Sequence, residues 1–196
     1  MATDLSLLRS FKQEQRYWAI GQTITANFHF FPKDGVYAWL TYYGDGKFSN
    51  TLAANAKSSA TTPQQIIYVN SAALDLKEIS LGWKHFFKGH FDSEATWNLY
   101  GLAGFGLMFC NVTNTQTPGI DTSAYVAPVI GGKGYFKRLT LDLGLGLEFA
   151  VGADVYIYTE ARTLVPTTDY PSPYLFVNEN APFTAAINLG LRILFH

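Results

Sequence analysis

From Leu139 to Phe149 the chain keeps a strict period of two. Leu139, Leu141, Leu143, Leu145, Leu147 and Phe149 share one face, and Thr140, Asp142, Gly144, Gly146 and Glu148 share the other. A helix would scatter both sets around its circumference, so this segment is a strand with one apolar and one polar side. The pattern returns between Phe183 and Phe195, where Phe183, Ala185, Ile187, Leu189, Leu191, Ile193 and Phe195 oppose Thr184, Ala186, Asn188, Gly190 and Arg192. Val155 to Val165 repeats it, with Tyr156, Tyr158, Glu160 and Arg162 on the polar face. Earlier strands are predicted at about 16–31, 36–44, 73–87 and 94–111. In the first, Trp18, Ile20, Ile24, Phe28 and Phe30 share a face; in the fourth, Trp97, Leu99, Ala103, Phe105, Leu107 and Phe109 do.

The connections come in two sizes that alternate along the chain. Segments 31–35, 88–92 and 151–154 carry tight-turn residues. Segments of about 45–72, 112–136 and 166–180 are polar and rich in Ser, Thr, Asn and Pro, and read as long loops. An up-and-down meander then places every short turn at one end and every long loop at the other. Residues 1–15 leave two readings open. Residues 4–10 form an eighth strand, with Leu5 and Leu7 alternating with Ser6 and Leu8, or a short helix capped by Asp4. An even strand number favours the strand. The whole of 1–196 reads as one domain.

Composition narrows the partners. Lys+Arg (14) and Asp+Glu (15) balance to a net charge of −1, which removes the basic footprint of a nucleic-acid binder. One cysteine, Cys110, excludes an internal disulfide framework and any cysteine-based zinc cluster. No stretch is long and apolar enough for a membrane-spanning helix. The start, Met1-Ala2-Thr3-Asp4, has neither the basic nor the apolar region of a signal peptide. We read the chain as a mature form from which such a leader is removed.

Alternation alone fits a soluble lipocalin-like barrel, a β-sandwich or a transmembrane barrel, so the polar residues have to decide. A solvent face carries Lys, Glu, Thr and Ser in quantity. Here it carries Gly82, Gly104, Gly144, Gly146 and Gly190, large tyrosines and isolated charges of both signs. Small and large residues with paired charges suit a crowded barrel interior. The apolar face is aliphatic in mid-strand and aromatic near strand ends (Phe87, Trp97, Phe149, Phe195), as lipid-facing girdles are. With charged residues at 15% and aromatics at 16%, the surface suits lipid better than water.

On these features residues 16–196 resemble the small β-barrels of the Gram-negative outer membrane, porin-like proteins of about eight strands. The resemblance rests on the turn and loop alternation, the glycine-bearing inner face and the last strand. There Gly190, Leu191, Ile193 and Phe195 match the family's C-terminal pattern, which the barrel-assembly machinery recognises; His196 departs from it by one residue. The resemblance implies an all-β, up-and-down antiparallel transmembrane barrel with short periplasmic turns and long extracellular loops. It also implies an outer-membrane location, lipid and the assembly machinery as partners, and a possible envelope protein partner.

Eight strands leave an interior that side chains can fill, so charges within it must pair. The expected lumen network is Glu78, Lys84, Asp142, Glu148, Glu160, Arg162 and Arg192. Folding about Gly152 sets Asp142 opposite Arg162 and Gly146 opposite Tyr158; folding about His90 sets Gly82 against Tyr100 and Lys84 against Asn98. The expected architecture is a plug with a structural or interaction role, or service as an accessory of an envelope complex. A narrow channel for ions or small solutes, a lipid-modifying enzyme and a soluble carrier are the alternatives.

Signals for chemistry are weak. His29 and His85 precede aromatics near turns and fit packing or hydrogen bonding at a membrane boundary; His90 and His196 fit solvent. The His-x-Ser pattern of one outer-membrane hydrolase group does not occur. No metal-ligand spacing occurs, and Gly131-Gly132-Lys133-Gly134 lacks the rest of a phosphate-binding loop and reads as flexible. We therefore assign no catalytic residue, metal or cofactor. Asn111-Val112-Thr113 is a coincidental glycosylation sequon. Tyr170, Tyr174 and Phe176, displayed beside Pro171 and Pro173, form a lid over the barrel mouth or a binding surface.

Overall fold

A computed structural model describes all residues except 12–14, 93–96, 153, 168–183 and 196. Its strands are β1 (Ala2–Ser10), β2 (Trp18–Phe31), β3 (Asp34–Ala56), β4 (Gln65–Lys88), β5 (Asn98–Thr117), a two-residue β6 (Tyr125–Val126), β7 (Gly132–Ala150), β8 (Val155–Pro166) and β9 (Thr184–Ile193). Each long strand pairs antiparallel with its neighbours in sequence, and β1 closes the ring on β9, which makes eight strands around one lumen. Residues 2–10 are therefore a strand and not a helix. Their alternation of buried Ala2, Asp4, Ser6, Leu8 and Ser10 with outward Leu5 and Leu7 sets both ladders of the closing strand. Among the described residues no helix is long and apolar enough to cross a membrane, which says nothing against crossing by strands.

The period of two decides which face is which. Leu139, Leu143, Leu145, Leu147 and Phe149 are exposed, as are Ile187, Leu189, Leu191 and Ile193, while Asp142, Glu148 and Arg192 are buried. An exposed aliphatic band around a charged interior is stable only against lipid. A soluble carrier would need the leucine face inside, so that alternative is overturned.

Two expectations from the sequence are corrected. Much of 45–72 and 112–136 is strand, because β3 and β4 pair without interruption from Gly46↔Leu74 to Asn55↔Gln65, and β5 and β7 pair up to Asn114↔Gly132. Gly132, Lys133 and Gly134 thus open β7 and do not form a loop. Ser, Thr and Asn are poor markers of loops here, since a sheet standing in water above the lipid needs no apolar outward face. The change of environment is marked by a bulge between Tyr43 and Gly46, where Asp45 adopts a left-handed φ of 60° that Asp tolerates.

The second correction is of register. On β7 and β8 the pairs are Gly144↔Arg162, Gly146↔Glu160 and Glu148↔Tyr158, so Asp142 faces Leu164 and not Arg162. On β4 and β5 they are Gly82↔Gly104, Lys84↔Leu102 and Phe86↔Tyr100, with a bulge between Phe86 and Lys88. The turns are wider than the minimum assumed from their Gly and His centres. Each shift is an even number of residues, so every side chain keeps its face.

Candidate functional site

The lumen is built in layers. Glu78, Lys84, Asp142, Glu148, Glu160, Arg162 and Arg192 all lie on the inner face, and none is more than 5% exposed. Three centres form among them. Nearest the short turns, Arg192 donates through Nη2 to Glu148 Oε1 at 2.7 Å and through Nε to Oε2 at 3.1 Å, a two-pronged pair. Asn98 Nδ2 donates to the same carboxylate at 3.1 Å, and Lys84 Nζ stands 3.5 Å from it. The cations also lie on ring faces, Lys84 at 3.6 Å from the Tyr100 centroid and Arg192 at 4.0 Å from that of Tyr156.

In mid-barrel Arg162 bridges Glu160 and Asp4, the latter at 3.4 Å, with its guanidinium 4.2 Å from the Trp39 ring centroid. Tyr100 Oη donates to Glu160 at 2.8 Å, and Tyr158 Oη donates to Asp4 at 2.8 Å. Further from the turns, Glu78 accepts from Thr140 Oγ1 at 2.9 Å and Asp142 accepts from Ser80. The geometry thus separates Asp142 from Arg162 and gives the arginine Glu160 and Asp4 instead. A cavity of about 10 Å³ among Thr25, Tyr37, Trp39, Lys84 and Arg162 has room for about one water.

Above the carboxylates the interior changes character. Leu8, Tyr17, Tyr43, Leu74, Leu76, Met108, Cys110, Val112 and Leu164 form a buried apolar cluster with Phe48 and Phe136 at its edge. The expected polar interior is therefore interrupted by this apolar layer, with Asn70 and Asn114 buried beyond it. A further apolar cluster of Leu52, Ala54, Tyr68, Tyr125 and Val129 lies between the β3–β4 hairpin and the 118–131 connection. There β6 pairs with the end of β3.

Tyrosines fill the inner face over glycines directly across the ladder. The pairs are Tyr43↔Gly21, Tyr37↔Gly82, Tyr100↔Gly146 and Tyr158↔Gly190, and a Cβ at any of these glycines would strike the tyrosine ring or hydroxyl. The filling device was expected, but with Tyr158 over Gly146 and Tyr100 over Gly82; the registers reassign both tyrosines.

Sequence reasoning missed Asp4, Asn98, Tyr100, Tyr158 and Trp39 as members of the charged centres. Asp4 had a signal, since it takes the polar slot between Thr3 and Leu5. His29 stacks on Phe91 with centroids 4.7 Å apart, and His85 Nδ1 lies 2.7 Å from Asp34 Oδ1, both near short turns. Asp34 Oδ1 also accepts from Trp83 Nε1 at 3.0 Å. His90 pairs with Asp92 at 2.7 Å. Among the described residues no group of three His, Cys, Asp or Glu is placed to hold a metal ion. Tyr170, Tyr174, Phe176 and His196 lie outside the described residues.

No family model and no curated protein matches this sequence. Solved structures do match. Neisserial surface protein A superposes with a TM-score of 0.62 over 99% of this chain and 95% of that one, at 14% identity. Ail, the attachment invasion locus protein of Yersinia pestis, superposes at 0.54 with the same coverages and 12% identity. Ail is also similar in its complex with the heparin analogue sucrose octasulfate. The chain has the fold of the small eight-stranded outer-membrane β-barrels. The short turns and the paired termini lie at one end of the ring. The tall β3–β4–β5–β7 sheet rises at the opposite end of the ring, and the charged centres lie between the two ends, covered on that side by the apolar cluster.

Proposed function

We propose that this chain is a non-enzymatic outer-membrane barrel whose lumen is a structural plug and whose extracellular sheet carries its interactions. One observation supports this reading above the others: each lumen cation is seated on carboxylates, Arg162 on Glu160 and Asp4 and Arg192 with Lys84 on Glu148, under aromatic and aliphatic side chains, while Glu78 and Asp142 are held by Thr140 and Ser80. Opening a path would strip Arg162 or Arg192 of its carboxylates inside a low-dielectric wall, at a cost of several kcal/mol. The rigid strand extensions offer a shaped surface, since a paired sheet orders its side chains without an entropy cost on binding. Leu191, Ile193 and Phe195 face outward on and just beyond β9, all exposed, which supports their reading as the signal for barrel assembly.

Reconstitution in planar bilayers tests the plug. The native barrel is expected to show no stepwise conductance at neutral pH. Steady conductance steps in the native protein would overturn the plug and establish the narrow channel in its place.

A further inference from the structure

Among the described residues five carboxylates are buried, Asp4, Glu78, Asp142, Glu148 and Glu160, against three buried cations, Lys84, Arg162 and Arg192. Arg162 is committed to Glu160 and Asp4, and Arg192 with Lys84 to Glu148. Arg138, half-buried on the same inner face, donates to the Lys137 carbonyl and lies 5.5 Å from the centroid of Phe136, the other way along β7 from Thr140. Among the described residues no ion pair reaches Glu78 or Asp142, so the surplus negative charge falls on these two acids.

The ladders bring the two acids together. Ser80, Gly106 and Thr140 stand opposite one another on β4, β5 and β7, with Asp142 one step towards the short turns and Glu78 one step away from them. Gly106 puts no side chain between them. The position its Cβ would take has Asp142 Oδ2 and Thr140 Oγ1 at 2.6 Å and Glu78 Oε1 at 2.7 Å. Three oxygens from the two outer strands thus converge over the middle one. Other polar atoms turn to the same place. The Tyr37 hydroxyl lies over Gly82 and Gly104, facing Ser80, and the Trp39 indole faces Glu78. Tyr37 and Asp142 are 0% exposed and Trp39 is 3% exposed. Yet among the described residues Tyr37 Oη, Trp39 Nε1 and Asp142 Oδ1 close no hydrogen bond. Buried polar atoms without a partner are costly and call for a ligand.

We propose that Glu78, Asp142, Thr140 and Ser80 form a binding site for one divalent cation of the size of calcium. Its two charges offset those of the two acids. The hydroxyls donate to the carboxylates, Thr140 to Glu78 at 2.9 Å and Ser80 to Asp142, and keep lone pairs for the ion. Tyr37 Oη and Asp142 Oδ1 supply further oxygens at the rim. Calcium accepts an irregular all-oxygen set at about 2.3–2.6 Å, whereas magnesium demands a near-ideal octahedron and holds its water. The bound ion ties β4 to β7 across β5, next to the apolar cluster that begins at Met108. The site goes beyond the plug reading and stands whether or not the barrel conducts.

The test refolds the chain into neutral-detergent micelles with radioactive calcium chloride at neutral pH, removes free ion and counts what the folded barrel retains. One calcium per native barrel is expected, with a urea midpoint that rises with calcium concentration. Glu78→Gln/Asp142→Asn is expected to retain none and, with its surplus charge gone, to refold equally well with and without calcium. Gly106→Ala keeps both acids and sets a methyl group where the oxygens converge; it is expected to bind calcium roughly 10- to 100-fold more weakly. The control Asp34→Asn/Asp45→Asn removes two carboxylates elsewhere on the barrel and is expected to keep its calcium. A native barrel that retains no calcium, or a Glu78/Asp142 variant that retains as much as the native protein, would overturn the site. So would a barrel stabilised by acid and not by calcium, in which the two acids share protons instead. Conductance tests the plug separately, so failure of one leaves the other standing.

Discussion

Glu148 holds two cations and an amide on one carboxylate, with both cations lying on tyrosine rings. Replacing it with alanine leaves Arg192 and Lys84 buried without their shared counter-charge. Glu148→Ala is therefore expected to destabilise the barrel by about 3–5 kcal/mol, measured by urea unfolding in lipid vesicles. Adding Lys84→Met should recover part of that loss, because one of the two stranded charges is gone. Gly146 makes a second residue-scale prediction. Its missing Cβ is the space occupied by the Tyr100 ring, whose hydroxyl must reach Glu160. Gly146→Val is expected to abolish refolding, and Tyr100→Ala in the same chain to restore it in part, read from the fraction folded in vesicles. The chemistry of these positions was legible in advance, since alternation puts each charge on the inner face. Their partners were not, because moving a turn's centre by one residue shifts a register by two places and exchanges every pair without moving any side chain to the other face.

At the scale of elements, the strands continue well past the lipid. Polar outward residues on β3, β4 and β5, among them Ser49, Thr51, Ser71, Thr113 and Thr115, hide these extensions from any reading that equates polarity with loops. The paired ladder makes a direct prediction: cysteines placed at Thr113 and Lys133 should cross-link on mild oxidation, as opposed residues of β5 and β7. Cysteines at Thr113 and Tyr135, off the pairing, should cross-link far less; equal yields would mean that this segment is a loop after all. The connection above the sheet has its own pH dependence. Asp121 accepts from the Ser123 backbone N–H at 2.8 Å and from Ser123 Oγ at 2.6 Å, which lowers its pKa below 3.8. A depressed acid stabilises the folded form above the unfolded pKa, and that contribution is lost as pH falls through the folded value. Amide protection at Ser123 and Ala124 is therefore expected to persist at pH 5 and to fall below about pH 3.8. The Asp121→Asn protein should lose the pH dependence.

For the whole molecule, the ring closes because β1 joins β9 over the full length of both strands, while β3 beyond Gly44 and β7 before Thr140 run past their β2 and β8 ladders. Closure makes unfolding a single event that breaks every ladder. The folded barrel is expected to resist SDS at room temperature and to change gel mobility only after boiling, while keeping strand-type circular dichroism until then. A chain that runs identically boiled and unboiled after refolding would mean that the ring does not close. Closure also explains why Asp4 belongs to the charged centre: the first strand brings it beside Tyr158 and Arg162, more than 150 positions away in sequence.

The sequence by itself determined the strands of the apolar band, though not their polar extensions, together with their two faces and the lipid-facing sense of the leucine side, because each follows from a period of two and from the cost of burying charge. It also put seven charged residues on the inner face, though it missed Asp4, since side-chain face survives any even error in register. Tertiary structure alone decided that Arg162 pairs with Glu160 and Asp4, that Tyr100 covers Gly146, and that an apolar cluster seals the lumen. Those contacts depend on turn length, on the stagger of neighbouring strands and on ring closure. These are long-range quantities that local alternation does not encode.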